Sequence, residues 1–247
     1  MRKVCLLFLL LAFPAAADPL NSARWNDMRE LFFKGEKLEF DARVKVVAPK
    51  FAEDSMNIPA AVDARELADV QEIMVFADFN PIIKVLEFYP RQAKAYLAFR
   101  FKLQQSSPLR AAAKTRDGVW HVGGAWVEAS GGGCTAPSNG RVSGNWAQHL
   151  GEVSSRVRGF PHQQSRVRFK VMHPMDTGLA AGIPAFYIEQ MSLKNAQGSE
   201  ILRLNTFEPV SENPVFTFDL PELKPGQQLL LTGVDNNGNR INAGIRQ

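Results

Sequence analysis

The chain has 247 residues, 45% of them hydrophobic, which is enough to build real cores. Its 29 Lys+Arg against 25 Asp+Glu give a formal net charge of only +4. No basic stretch is interleaved with aromatics, so composition argues against a nucleic-acid-binding protein.

The first residues read as an export signal. Arg2 and Lys3 form a basic start, 4–13 is an apolar run, and Ala15-Ala16-Ala17 offers small residues for cleavage before Asp18. A permanent membrane anchor needs roughly 20 apolar residues, so this run is too short for one. Later apolar runs are short and broken by charges. The expectation is a signal peptide over 1–17 and a mature protein in the periplasm, without a membrane anchor. Cys5 would leave with the signal, and Cys134 would remain as a lone thiol.

The mature part opens with a predicted helix over 22–34, where Trp25, Met28, Leu31 and Phe32 fall at helical spacing and Gly35 ends it. Alternating apolar and polar residues then predict strands over 38–46, 71–79, 82–89, 95–103, 110–115 and 119–128. Turn signals such as Asn80-Pro81 and Asp117-Gly118 separate several of them. Trp120 and Trp126 share one face of the last strand, as core or interface residues.

From 129 to 164 the pattern weakens into a loop and connector that holds Ser130-Gly131-Gly132-Gly133-Cys134-Thr135-Ala136-Pro137, with a further strand expected near 152–158. Alternation returns over 166–172, 185–193, 200–204, 215–220, 228–234 and 240–245. The whole predicts an all-β fold, two immunoglobulin-like antiparallel β-sandwiches in tandem with a short N-terminal helix. The expected divisions are 18–128, the cysteine loop and connector over 129–164, and 165–247.

An unpaired cysteine in an oxidising compartment implies an intermolecular bond or a thiol kept free for chemistry. Gly131, Gly132 and Gly133 carry no side chains, so they predict a flexible arm that holds Cys134 on a mobile, uncluttered loop. No Lys, Arg or His lies within five residues of Cys134, which suits a passive carrier better than a catalytic thiol. His121, Lys114 and His173 are the basic groups that could approach it in space. The four histidines lack compact ligand spacing, so neither a structural zinc site nor any cofactor is expected. Asp176 and Glu212 read as turn residues, and Asp235-Asn236-Asn237-Gly238 as a hairpin turn.

Four stretches of the second block carry a resemblance: 173–179 (His-Pro-Met-Asp-Thr-Gly-Leu), 183–188 (Ile-Pro-Ala-Phe-Tyr-Ile), 210–218 (Val-Ser-Glu-Asn-Pro-Val-Phe-Thr-Phe) and 233–238 (Gly-Val-Asp-Asn-Asn-Gly). In this order they resemble SoxZ, one half of the SoxYZ sulfur carrier of bacterial sulfur oxidation. The first block, closing on glycine-flanked Cys134, is similar to SoxY. Both in one chain resemble the fused group called quinoprotein dehydrogenase-associated SoxYZ-like carriers.

The resemblance implies a non-catalytic carrier whose Cys134 covalently holds a sulfur compound for partner oxidoreductases, either sulfur-oxidising enzymes or a quinoprotein dehydrogenase system. His173, Met175 and Asp176 are then candidates for an interdomain or partner contact. The rival readings are a thiol oxidoreductase or peroxidase, a covalent dimer clasp, and an accessory protein of a quinoprotein dehydrogenase. In SoxY the cysteine sits in a Gly-Gly-Cys-Gly-Gly tail at the free end. Here the chain continues through Thr135-Ala136-Pro137, so a partner's channel would have to admit a doubled strand.

Overall fold

The computed structural model describes residues 17–140, 146–160, 164–224 and 226–246. The signal-peptide reading of 1–16, and His162 in the connector, lie outside them.

One helix, α1 (Trp25–Phe33), precedes the strands. The first half contributes β1 (Lys37–Phe40), β2 (Lys45–Val47), β3 (Ile58–Asp63), β4 (Val70–Ala77), β5 (Lys84–Tyr89), β6 (Tyr96–Phe101), β7 (Ser107–Thr115) and β8 (Val119–Val127). The second contributes β9 (Val153–Phe160), β10 (Gln164–Val171), β11 (Asp176–Thr177), β12 (Ala185–Phe186), β13 (Ile188–Asn195), β14 (Glu200–Thr206), β15 (Val215–Pro221), β16 (Gln228–Asp235) and β17 (Arg240–Arg246).

The strands form two facing layers, and each layer runs through both halves. The larger sheet has the order β1-β8-β7-β4-β5-β14-β13-β16-β17, the smaller β2-β3-β6-β15-β10-β9, and β11 pairs with β12 apart from both. Two antiparallel seams join the halves. In one, Leu204 stands opposite Phe88; in the other, Phe218 stands opposite Leu97. The Phe88 and Phe218 rings meet at 5.3 Å between centroids, both fully buried, so one hydrophobic cluster passes from sandwich to sandwich.

Local chemistry explains where the predicted elements differ from those observed. The run at 38–46 is two strands. The Asp41 carboxylate accepts from the Arg43 backbone N–H at 2.8 Å and the Asp41 carbonyl accepts from Val44 N–H, so the chain turns. It then leaves the larger sheet, where β1 runs parallel to β8, for the smaller one. β3, absent from the predicted strands, carries Pro59, and proline is normally excluded from a central strand. Pairing of β2 with β3 reaches no further than Ala61, so Pro59 falls where that neighbour has already ended.

The helix covers the outer face of the larger sheet, packing Trp25, Met28 and Phe33 on Met74, Phe76, Ala112, Trp120 and Val122. Its approach is set by Arg110, which is buried and bound bidentately to Asp18 (2.8 and 2.7 Å) while its Nε reaches Asp78 at 3.0 Å. Asp18 also accepts from the Leu20 and Ser22 N–H groups, tying the segment before the helix to the sheet. Trp126 lies on the same face of β8 as Trp120 but beyond the helix, half-covered against Phe79.

Because the core crosses both seams, the halves should unfold as one cooperative unit. Calorimetry is expected to give one transition, and Phe218→Ala to cost about 3–5 kcal/mol by chemical denaturation. Two separate transitions, with the variant shifting only one, would contradict a shared core.

Candidate functional site

Beyond β8 the chain does not swing free. Glu128 N–H donates to the Lys50 carbonyl and Ala129 N–H to Ser106 Oγ. Gly131 N–H then donates to Ser55 Oγ, Gly132 N–H to the Gln104 carbonyl, Gly133 N–H to the Leu103 carbonyl at 3.0 Å, and Cys134 N–H to Gln104 Oε1 at 3.2 Å. Past the cysteine, the Asn139 and Gly140 N–H groups both donate to Glu212 at 2.7 Å.

The glycines are therefore used for close packing, and the expected flexible arm of Gly131, Gly132 and Gly133 is corrected by this docking. A Cβ on Gly133 would come within 2.1 Å of the Ser55 carbonyl oxygen and 2.6 Å of the Leu103 one. Gly131 and Gly132 adopt φ of +100° and +83°, which side chains disfavour. Missing side chains here let backbone meet backbone.

Cys134 is correspondingly inside the protein, with no exposed surface, and its thiol is free. The uncluttered loop expected from the sequence is instead a docked segment at the junction of the halves. Sγ faces the Lys102 carbonyl at 3.9 Å, and Thr177 Oγ1 donates to the Cys134 carbonyl. Ser138 N–H, on the exit side, donates to Asp176 Oδ1 at 3.3 Å. Its own Oγ is buried without a hydrogen-bond partner among the described residues.

The basic group beside the thiol is Lys102, just past the end of β6. Its side chain is 2% exposed, and its ammonium donates to the Met175 carbonyl of the second half. Burial pulls the Lys102 pKa down to about 8, against the opposing pull of Cys134, Asp176 and Glu212. Burial pushes the Cys134 thiol up to about 11, with Lys102 acting to lower it. Sequence reading missed Lys102 because it lies 32 residues before the cysteine and follows Leu97, Phe99 and Phe101 in an ordinary strand pattern. Lys102 falls at the polar phase of that alternation, after Arg100, so the local pattern carries no sign of its burial.

The other predicted residues divide. Met175 and Asp176 meet the first half directly, through Lys102 and the cysteine loop. His173 is a step removed. Its Nδ1 accepts from Met175 N–H at 3.1 Å, so the proton sits on Nε2, 3.4 Å from Asp235. Burial lowers its pKa to about 4 despite Asp235. His173 thus shapes the turn in which Met175 takes a φ of +50° and aims its carbonyl at Lys102.

His121 and Lys114 take no part: His121 Nδ1 lies 2.8 Å from Asp41 and 2.9 Å from Glu39, and Lys114 faces Glu36. Glu39, Asp41 and His121 are close enough together to hold a cation. Asp41, however, already carries the Arg43 guanidinium at 2.6 Å, so the charge a metal would bring is supplied by arginine.

Comparison with known proteins accounts for both halves. Residues 28–134 match the family described as Sulfur oxidation protein SoxY, ending on Cys134 itself, and residues 161–245 match Sulphur oxidation protein SoxZ. The chain is a fused SoxYZ-like protein, with a SoxY domain and a SoxZ domain in one polypeptide. Among solved structures it is similar to the sulfur carrier protein SoxY from Chlorobium limicola f thiosulfatophilum, at 18% identity and a TM-score of 0.38, over 43% of this chain and 96% of that one. No curated protein matches.

Two measurements test this geometry. With a thiol pKa of about 11, alkylation of the folded protein by iodoacetamide at pH 8 should run at least ~100-fold slower than of free cysteine. Lys102→Met should slow it further at pH 7, where the lysine still carries the charge that favours the thiolate. Alkylation at the free-cysteine rate would place the sulfur in solvent. His173 is held neutral in the fold, so its contribution is complete above pH 6.5 and is lost as pH falls toward 4, where the folded group also protonates. Stability should fall by on the order of 3 kcal/mol over that window, and His173→Gln should flatten the slope.

Proposed function

We propose that this protein carries a sulfur compound covalently on Cys134 for partner oxidoreductases, and performs no catalysis alone. The carrier reading follows from the SoxY and SoxZ families, both sulfur-oxidation proteins. The observation that carries the choice of residue is the free thiol of Cys134, ending the SoxY match and enclosed where the SoxZ half meets it.

The arrangement suits storage better than reaction. A thiol oxidoreductase needs thiolate near neutral pH, normally through a depressed pKa; here burial raises it. A dimer clasp needs a sulfur that a second chain can touch, and this one has no exposed surface. A sulfur–sulfur bond to Cys134 would sit away from water and from stray thiols. To be loaded or unloaded, the segment must release the side-chain contacts of Gln104, Thr177 and Glu212 together with the backbone carbonyls of Leu103 and Gln104.

The export pattern at 1–17 supports a periplasmic setting. Sulfur-oxidising enzymes are the partner class that the family supports. Resemblance to the fused quinoprotein dehydrogenase-associated group adds a quinoprotein dehydrogenase system as a second candidate.

Intact-mass analysis of the protein isolated from its native cells is the test. We expect a sulfur-containing adduct that reductant removes and that Cys134→Ser never acquires. Unmodified thiol throughout, with and without oxidisable sulfur compounds in the medium, would refute the reading.

A further inference from the structure

A row of cations lies on the outer face of the smaller sheet, remote from any role assigned above. In the pairing of β9 with β10, Arg158 stands opposite Arg166 and Arg156 opposite Arg168, with Lys170 the next outward position. Val167, Phe169 and Val171 alternate with them into the core, which forces the three basic side chains of β10 outward together.

Like charges placed directly opposite destabilise a strand pair. Here they are only partly answered. Asp219 on β15 binds Arg166 at 2.7 Å and shares itself with Arg65. Among the described residues, no carboxylate lies within ion-pair distance of Arg156, Arg158, Arg168 or Lys170, and all four are exposed. Charge on an edge strand discourages sheet-to-sheet aggregation, but that accounts for β9 alone. Arg168 and Lys170 belong to its inner neighbour.

At the Lys170 end the row opens into a groove of about 430 Å³, lined by Arg100, Arg168 and Lys170 on one side of the balance and Asp54 and Glu212 on the other. Glu212 is the residue that straps the exit of the Cys134 loop through Asn139 and Gly140. The cationic row therefore leads to the fastening of the candidate cargo segment.

We propose that the outer face of β9 and β10 is a docking surface for the acidic face of a partner protein, oriented by the row toward the Glu212 strap. Arginine's planar fork matches carboxylates, and outward positions repeat about every 7 Å along a strand, a spacing that side chains on a facing protein can meet. The mixed groove favours protein over a polyphosphate: Asp54 and Glu212 would repel phosphates but can receive a cation from a folded partner. The partner's purpose rests on the carrier reading; the binding does not require Cys134.

Poly-L-glutamate, labelled and titrated by fluorescence anisotropy at low salt against the full mature chain, is the probe. Duplex DNA and phosphatidylglycerol vesicles serve as the competing anions. We expect salt-sensitive binding of polyglutamate that weakens by about tenfold or more in R156Q/R158Q/R168Q/K170Q and stays within about twofold in R29Q/K37Q/K50Q/K94Q, which removes equal charge elsewhere. Amide shift changes in the unaltered protein should centre on β9 and β10. Equal loss in both variants, shifts elsewhere, or tighter binding of DNA or vesicles through the same four residues would overturn the proposal. Cys134→Ser should bind like the parent, so failure of the cargo test leaves this result readable.

Discussion

The Lys102 side chain has almost no contact with water, and an ammonium in that position must find its compensation inside the protein. It finds it across the junction: the Met175 carbonyl accepts its hydrogen bond, while Asp176, Glu212 and the sulfur of Cys134 supply the surrounding field. No one of these belongs to the strand that carries the lysine. The first half thus presents a buried charge that only the second half and the cysteine loop can satisfy. Docking of the loop and docking of the halves are coupled through that one group.

This coupling gives the glycine run a different meaning from mobility. Gly133 lies against two backbone carbonyls where any side chain would collide, and its neighbours occupy left-handed conformations that suit the same tight path. The segment is held by about one hydrogen bond per residue, largely from its own N–H groups, with Ala129 and the Cys134 side chain adding packing. Such attachment is specific in position yet modest in energy, since each exchanged hydrogen bond contributes only ~1 kcal/mol net. The core meanwhile crosses both seams through Phe88, Leu97, Leu204 and Phe218, and keeps the two walls around Cys134 together.

Much of the architecture was readable from residues near each other in the chain. The helix, most strands and the glycine-flanked cysteine follow from periodicity and turn chemistry, because side-chain alternation is imposed locally by the pleat. The split at Asp41–Arg43 and the strand through Pro59 were not readable in that way. In the first a side chain bonded to its own backbone two residues on, and in the second a proline was tolerated because a neighbouring strand stopped short. Arg110 likewise gives no local sign of its burial, which depends on carboxylates 92 and 32 residues away.

For the site the division is sharper. By itself the sequence determined the candidate atom, a sulfur preceded by three glycines, and the two families the chain joins, since identity and order of residues are properties of the chain. Only the tertiary structure decided that the sulfur is enclosed, that Lys102 is its ionisable neighbour and that Met175, Asp176 and Thr177 complete the wall. Those facts arise from contacts 32 to 73 residues apart. Burial, and the pKa values it governs, belong to the packed whole: desolvation depends on everything that surrounds a group and on nothing the group carries itself.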